Sequence, residues 1–359
     1  MAVTRIPATV VTGFLGSGKT TLIRNIIMQA NGRRLALIVN EFGDIGMDGA
    51  MLEECGADSC GAEDIIELAN GCICCTVADD FLPSMQQLLA QSPRPDHIII
   101  ETSGLALPQP LVQAFNWPDI KTRVMLGGVV TLVDGPALAR GGVAHDLAAL
   151  EAQRAADEEL DHESPIDQLF TDQIGAANLI VLSKADMLDA DGMARARAVV
   201  EAQLAEPTPI IPVAGGAAPI DAILGLGMED QAHARSQHVH HHHHHEAGHG
   251  HHHHHEHGHD EFASYVIALD GVADANLFQQ CISDVASEFG ILRAKGRVVV
   301  DGKALPYVVQ AVGRRVDGYF ASEQGGASGQ LVVIGLAGLD ADAIAERLGG
   351  KVIAGHASS

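Results

Sequence analysis

The chain has 359 residues, 47% of them hydrophobic, which is enough for two domains that each bury a core. Its formal charge of -24, with histidine neutral, repels nucleic acid and anionic lipid and discounts both as principal partners. An anionic ligand such as a nucleotide therefore needs a local, well-aimed site. The start of the chain lacks the pattern of a signal peptide, and no run approaches the roughly 20 apolar residues of a membrane helix. A cytoplasmic protein is expected, with its six cysteines present as thiols.

Short, nearly continuous apolar runs predict buried strands at 8–11, 35–39, 97–100, 129–133, 178–182 and 210–213. Helix-like segments between them, such as 20–29 and 79–90, supply crossovers. This reading is α/β, a parallel sheet of the P-loop type over residues 1–230. From 238 to 259 the composition breaks, with 15 of the 20 histidines in one stretch. Such a stretch has almost nothing to bury, so 231–260 is expected as a His-rich disordered linker. Beyond it, strands are expected at 262–269, 297–300, 307–312 and 330–334, with helices at 273–289 and 340–348. Residues 261–359 thus form a smaller C-terminal α+β domain.

Gly13-Phe-Leu-Gly16-Ser17-Gly18-Lys19-Thr20 matches G-x-x-x-x-G-K-[ST] between a predicted strand and a predicted helix. Glycine lets the backbone wrap close to a phosphate, while successive N–H groups and the helix N-terminus point at the anion. Lys19 is expected to reach the β and γ phosphates and the Thr20 hydroxyl to ligate Mg2+, with Ser17 and Thr21 completing the segment. The competing reading, a chance glycine-rich turn, does not explain strand, loop and helix falling in register. An apolar strand also runs into Glu101-Thr-Ser-Gly104. Glu101 is suited to hold Mg2+ or its water, and the Gly104 N–H to contact the γ phosphate. Lys19, Glu101 and Gly104 are the candidate catalytic residues.

Ser183-Lys184-Ala185-Asp186 follows another apolar run. GTPases read guanine with Asn-Lys-x-Asp at this place, the Asp accepting from the N1–H and the exocyclic amine. Here Ser183 replaces the Asn. Guanine is favoured over adenine, and a surface turn after a strand is the alternative. Cys72, Cys74 and Cys75 fall within four positions, a density that core packing does not require. Thiolates select late first-row metals, and Cys-x-Cys-Cys is too compact for an ordinary structural zinc finger. Glu41 and the pair Cys55 and Cys60 are candidates for a further ligand, a redox pair or inert packing being the other readings.

In one order, the P-loop, Asn40-Glu-Phe-Gly, Gly71-Cys-Ile-Cys-Cys75, Glu101-Thr-Ser-Gly-Leu-Ala106 and Ser-Lys-Ala-Asp resemble the CobW family of metal-handling GTPases. That family is related to the nickel-insertion GTPases of urease and hydrogenase. Leu292-Arg-Ala-Lys-Gly296 is similar to its C-terminal domain, and the likeness covers nearly the entire chain. The stretch from Glu67 to Asp80 is similar to members associated with cobalt supply to aerobic cobalamin synthesis. The resemblance implies GTP and Mg2+ at Gly16, Gly18, Lys19, Thr20 and Glu101, and a transported metal at Cys74 and Cys75 with Cys72 as a further candidate. It also implies Co2+ as cargo, Zn2+ as the alternative, and a cobaltochelatase as recipient.

The mechanism expected is a nucleotide-gated metallochaperone, in which Mg2+·GTP tightens the cysteine loop and hydrolysis releases the metal. A P-loop kinase and a metal store centred on the His tract are the rival readings. Arg293 and Lys295 are positioned to contact a client or the nucleotide domain, a solvated basic turn being the simpler expectation.

Overall fold

A computed structural model describes residues 5–30, 32–40, 65–68, 81–156, 165–225, 262–322 and 328–357. The chain divides into two compact units, Val3–Leu224 and Gly225–Ser359. Glu41, Cys55, Cys60, Cys72, Cys74, Cys75 and the His tract lie outside the described residues.

The first unit is a seven-stranded sheet of β1 (Ile6–Thr12), β2 (Leu35–Asn40), β3 (Ile65–Leu68), β4 (His97–Glu101), β5 (Val124–Asp134), β6 (Leu179–Ser183) and β7 (Ile210–Val213). The order is β3-β2-β4-β1-β5-β6-β7, and every neighbouring pair is parallel. Six of these strands answer to the six apolar runs of the sequence. Their side chains are buried on both faces, including Val10, Val11, Leu37, Ile38, Ile99, Ile100, Val181 and Leu182. A strand covered on both sides has no polar face to alternate with, so its run is continuously apolar.

β3 was not expected: a four-residue strand within 65–68 leaves too short a run to stand out. β5 starts five residues earlier than the apolar run at 129 because Gly127 and Gly128 interrupt the pattern. The interruption is a local irregularity in the pairing with β1, between Ala8 and Thr9, and Gly128 takes φ 138° there. The crossovers include α1 (Lys19–Met28), α2 (Leu82–Ala90), α3 (Gln109–Ala114), α4 (Pro118–Lys121), α5 (Gly135–Ala139), α6 (Leu147–Ala156), α7 (Ile166–Gly175) and α8 (Ala190–Gln203), and α9 (Ile220–Leu224) follows β7. Phe81, Met85 and Leu88 of the α2 region, with Leu169, Phe170 and Ile174 of α7, pack onto the sheet in one core.

The second unit is antiparallel. β8 (Phe262–Leu269), β9 (Ile291–Val298), β10 (Tyr307–Val312), β11 (Arg315–Phe320), β12 (Gln330–Leu336) and β13 (Gly350–Ala357) form a sheet in the order β11-β10-β9-β12-β8-β13. Helices α10 (Ala275–Phe289) and α11 (Ala341–Arg347) share its core through Phe278, Ile282, Val285 and Ile344. α10 starts where the Asp274 carboxylate accepts from the N–H groups of Asn276 and Leu277, and stops at Gly290, whose φ of 70° is left-handed. β11 and β13 were not anticipated. Both are edge strands with glycine and partly exposed polar residues, so neither carries a clean apolar alternation.

The strand expected at 297–300 is displaced to Ile291–Val298, and the solvated basic turn at Arg293 and Lys295 is overturned. Arg293, Lys295 and Arg297 occupy alternate positions of a strand, the period-two signature of one sheet face. Arg293 is only 3% exposed, opposite Val312 and Ile334, and burial pushes its guanidinium down to about 9. It therefore stays charged at neutral pH inside the unit. No helix among the described residues is long and apolar enough to cross a membrane.

Gly296 shows how tightly the second sheet is built. A Cβ there would overlap the carbonyl of Gln330 on the neighbouring strand and meet the Leu331 Cα at 2.8 Å. Both neighbours are backbone, so neither can turn aside. Gly296→Ala is expected to destabilise the second unit by about 2 kcal/mol, as overpacking does. Denaturant unfolding followed by tyrosine fluorescence checks this, since all the protein's tyrosines lie beyond residue 260.

Candidate nucleotide site

The C-terminal ends of β4, β1, β5 and β6 lie side by side, and β1, β4 and β6 each hand the chain to one of the expected site segments. β1 leads into the glycine-rich loop. At Gly13, φ is 141°, and a Cβ would overlap the Leu132 carbonyl oxygen of β5 and approach Ser17 Oγ to 2.8 Å. Only glycine fits both conditions. Gly16 has φ 73°, and a Cβ there meets nothing within 4 Å, so its glycine serves the backbone conformation and leaves open space beside the loop.

α1 begins immediately afterwards. Its N-cap is Gly18, with φ 95° and no side-chain cap, so the first-turn N–H groups at Lys19, Thr20 and Thr21 are not capped by a side chain. Lys19 folds back over the loop, its Nζ donating to the Gly13 carbonyl at 2.7 Å and to Phe14 at 3.3 Å. Burial pushes the Lys19 ammonium below the ordinary lysine range, and the nearby Glu101 carboxylate partly offsets this. Burial pushes the Glu101 carboxyl up, and Lys19 pulls it part of the way back. Sequence placed these two residues 82 positions apart (101 less 19), and the sheet brings them within electrostatic reach.

An uncapped helix N-terminus, a buried ammonium on loop carbonyls and the buried Ser17 hydroxyl without a hydrogen-bond partner fit a polyphosphate. Thr20, in the first turn of α1, and Glu101, at the end of β4, are the residues expected to hold Mg2+, which would neutralise phosphate charge when bound.

The loop after β4 is tied to β1 and to α7. Thr102 N–H donates to the Val11 carbonyl at 3.0 Å, and Thr102 Oγ1 donates to Thr12 Oγ1 at 2.9 Å. Gln173 of α7, buried at 1% exposure, donates through Nε2 to the carbonyls of Gly104 (2.9 Å) and Ala106 (3.0 Å). Its backbone carbonyl accepts from Thr131 Oγ1 of β5. The amide thus clips the Glu101–Ala106 segment from behind. Sequence reading missed Gln173, although one signal was present. It lies in the stripe 169, 170, 173, 174 that faces the core, where a lone amide needs partners.

β6 leads into Ser183-Lys184-Ala185-Asp186. Ser183 is buried and donates to the Val133 carbonyl at 3.0 Å. Lys184 takes φ 56° and pairs with Asp134 at 2.5 Å. Asp186 is exposed. The base loop also adjoins the phosphate loop: a Cβ on Gly18 would lie 3.9 Å from the Ser183 Cβ. Ser183 is the buried last residue of β6, and the turn that follows it runs out to the exposed Asp186.

A parallel sheet with this loop after its first strand and before a helix is that of a P-loop nucleotide hydrolase. The family description "CobW/HypB/UreG, nucleotide-binding domain" matches residues 7–212, and "Cobalamin synthesis protein cobW C-terminal domain" matches 262–351. The chain belongs to the CobW/HypB/UreG family, and it is a GTPase.

A Sinorhizobium protein named Zinc chaperone CobW is 50% identical over 95% of this chain and 95% of its own length. A Pseudomonas aeruginosa protein of the same name is 44% identical over 96% of this chain and 91% of its own. Zinc-regulated GTPase metalloprotein activator 1 of Schizosaccharomyces pombe is 35% identical over 54% of this chain and 43% of its own.

Two expectations follow from the geometry. Gln173→Leu leaves two buried carbonyls without a donor on the segment that includes Gly104. Single-turnover GTP hydrolysis should slow about tenfold while GDP affinity stays unchanged, the scale of one or two lost hydrogen bonds. The second concerns Glu101, which acts as an anion and whose carboxyl is raised by burial. kcat/KM for GTP should then fall on acidification at a pH above the ordinary carboxylate range, because this ratio reports the free protein. A pH profile of Glu101→Gln, slower throughout, should lack that acid limb.

Proposed function

We propose that this GTPase is a zinc metallochaperone whose cargo is held by Cys72, Cys74 and Cys75 with Glu41, and whose grip on that cargo is set by the bound nucleotide. The observation that carries the reading is likeness along nearly the full length to two proteins named zinc chaperones. The thiolate-rich loop is suited to that metal, since zinc takes cysteine sulfur with borderline-soft preference. A kinase has no use for such a loop.

GTP is read through Asp186 and Lys184, and its phosphates are taken by the loop from Gly13 to Thr21, with Ser17 and Lys19 within it. Thr20 and Glu101 would hold Mg2+, which neutralises phosphate charge, and the Gly104 N–H would meet the γ phosphate. Nucleotide binding draws Lys19 from the Gly13 and Phe14 carbonyls onto phosphate, and Glu101 onto the metal side of the site. The segments next to them in the sheet then set the cargo geometry, and hydrolysis relaxes it. The receiving client is a metal-dependent protein, and the compartment is the cytoplasm.

A second reading has Co2+ as cargo for a cobaltochelatase in cobalamin synthesis. The description of the C-terminal match, a cobalamin synthesis protein domain, favours it. The relatives' names favour zinc. Zinc also outcompetes cobalt at most sites, so a cobalt chaperone needs geometric selection that a zinc chaperone does not.

A competition titration of Zn2+ and Co2+ tests both readings. It uses reduced protein lacking residues 238–259, with and without Mg2+·GTP, and a Cys74→Ala counterpart. The expected result is one tight, zinc-preferring site that appears with GTP and is lost in the variant. A cobalt-preferring site would move the cargo to the second reading. Equal affinity with and without GTP, or GTP-enhanced affinity that survives Cys74→Ala, would sink the gating.

A further inference from the structure

We infer that Asp134 is the positioning residue of the guanine-reading loop, holding Lys184 so that the turn presents Asp186 to the base. The inference rests on the base-loop assignment proposed above and supplies the element that lets the loop work with serine at position 183.

Lys184 is the only non-glycine residue with positive φ among the described residues, at φ 56° and ψ 37°. A left-handed lysine costs roughly 1–2 kcal/mol, so surrounding structure must hold it there. The holding contact is the 2.5 Å pair between Lys184 Nζ and Asp134 Oδ2. The carboxylate is only 3% exposed and the lysine side chain 32%, which sets this pair apart from a solvated surface bridge.

Asp134 is itself fixed. Its other oxygen, Oδ1, accepts from the Ala137 N–H at 2.9 Å at the start of α5, so both carboxylate oxygens are engaged. Its backbone is in register with Ser183 across the β5–β6 pair. The preceding residue joins in, since Ser183 Oγ donates to the Val133 carbonyl. Two consecutive loop residues are therefore fastened to two consecutive residues of β5. Gly135 belongs to the same fit, because a Cβ there would meet the Ser183 carbonyl at 2.8 Å and Leu188 Cδ1 at 2.9 Å. An asparagine at 183 would tie such a loop with its amide. Here the tie runs through a hydroxyl and an ion pair to β5.

The test compares GDP and ADP affinities of the full chain by calorimetry with Mg2+. Asp134→Asn keeps an acceptor for the Ala137 N–H but removes the charge that faces Lys184. GDP should bind about tenfold more weakly while ADP is unchanged, so the base preference falls by that factor. In a Lys184→Ala background, Asp134→Asn should cost nothing further. The inference is overturned if the GDP-to-ADP ratio is unmoved, if both affinities fall together as from a general structural loss, or if the two substitutions add in full. Asp186→Asn separates the underlying assignment. Its amide suits xanthine in place of guanine, so a protein that gains no preference for xanthosine diphosphate over GDP refutes the base-loop reading itself. A gained preference with Asp134→Asn silent refutes only the positioning role.

Discussion

The phosphate loop presses so closely on β5 that Gly13 has no room for a side chain beside the Leu132 carbonyl. That approach requires β1 and β5 to be adjacent and parallel, with their C-terminal ends level, and they pair from Ile6↔Val124 to Thr12↔Thr131. Once β5 occupies one side of β1, β4 occupies the other and delivers Glu101 opposite Val11. β6 then lies beyond β5 and delivers Ser183 opposite Asp134. Glu101, the glycine-rich loop and the Ser183–Asp186 turn are thus placed by three strand pairings around one crowded glycine.

A protein of charge -24 must bind a polyanion against its own field. The local answer is to bury a cation where the anion is needed. Lys19 is taken out of water, satisfied by loop carbonyl dipoles and a neighbouring carboxylate, and its lowered proton affinity records the cost. Carbonyl dipoles are a weaker partner for an ammonium than a phosphate dianion in the same low-dielectric site. Lys19 is therefore paired with groups weaker than the phosphate it is expected to meet. Glu101 is in the mirror condition, a carboxylate whose burial favours the neutral form until a stronger cation arrives. Both groups are buried with partial compensation, and phosphate and Mg2+ are the partners proposed for them.

Legibility in the sequence followed how local each signal is. Six of the seven strands of the first unit are continuous apolar runs because both faces are covered, and the phosphate loop is readable because its glycines answer to backbone geometry within eight residues. Edge strands β11 and β13, half-solvated and rich in glycine, carry no such pattern. Arg293 misled for a related reason: a charge in a short motif suggests solvent, and only the alternation with Lys295 and Arg297 marks a strand. Gln173 and Asp134 act through partners about 40 to 70 residues away, so the residues near them in sequence do not identify those partners. Asp134 does share one trait with Glu101, an acid closing an apolar strand. In the second case that trait marks the bracing of a loop.

The same topology bears on how nucleotide and cargo can communicate. β2 and β3 end in register, Asn40 opposite Leu68, on the sheet edge where β4 ends at Glu101. Glu41 is the next residue after Asn40, and Cys72 follows Leu68 by four positions. The chain therefore enters both proposed cargo segments from strands paired, directly or through one neighbour, to the strand that carries Glu101. Coupling over so short a span needs no long pathway, only an edge with two arrangements that both ligands bias. It must also be reciprocal: a nucleotide that tightens metal binding about 100-fold is itself bound about 100-fold more tightly by the metal-loaded protein, some 2.7 kcal/mol each way. A chaperone built this way holds GTP best when it is loaded, so the state committed to hydrolysis is the one that has something to deliver.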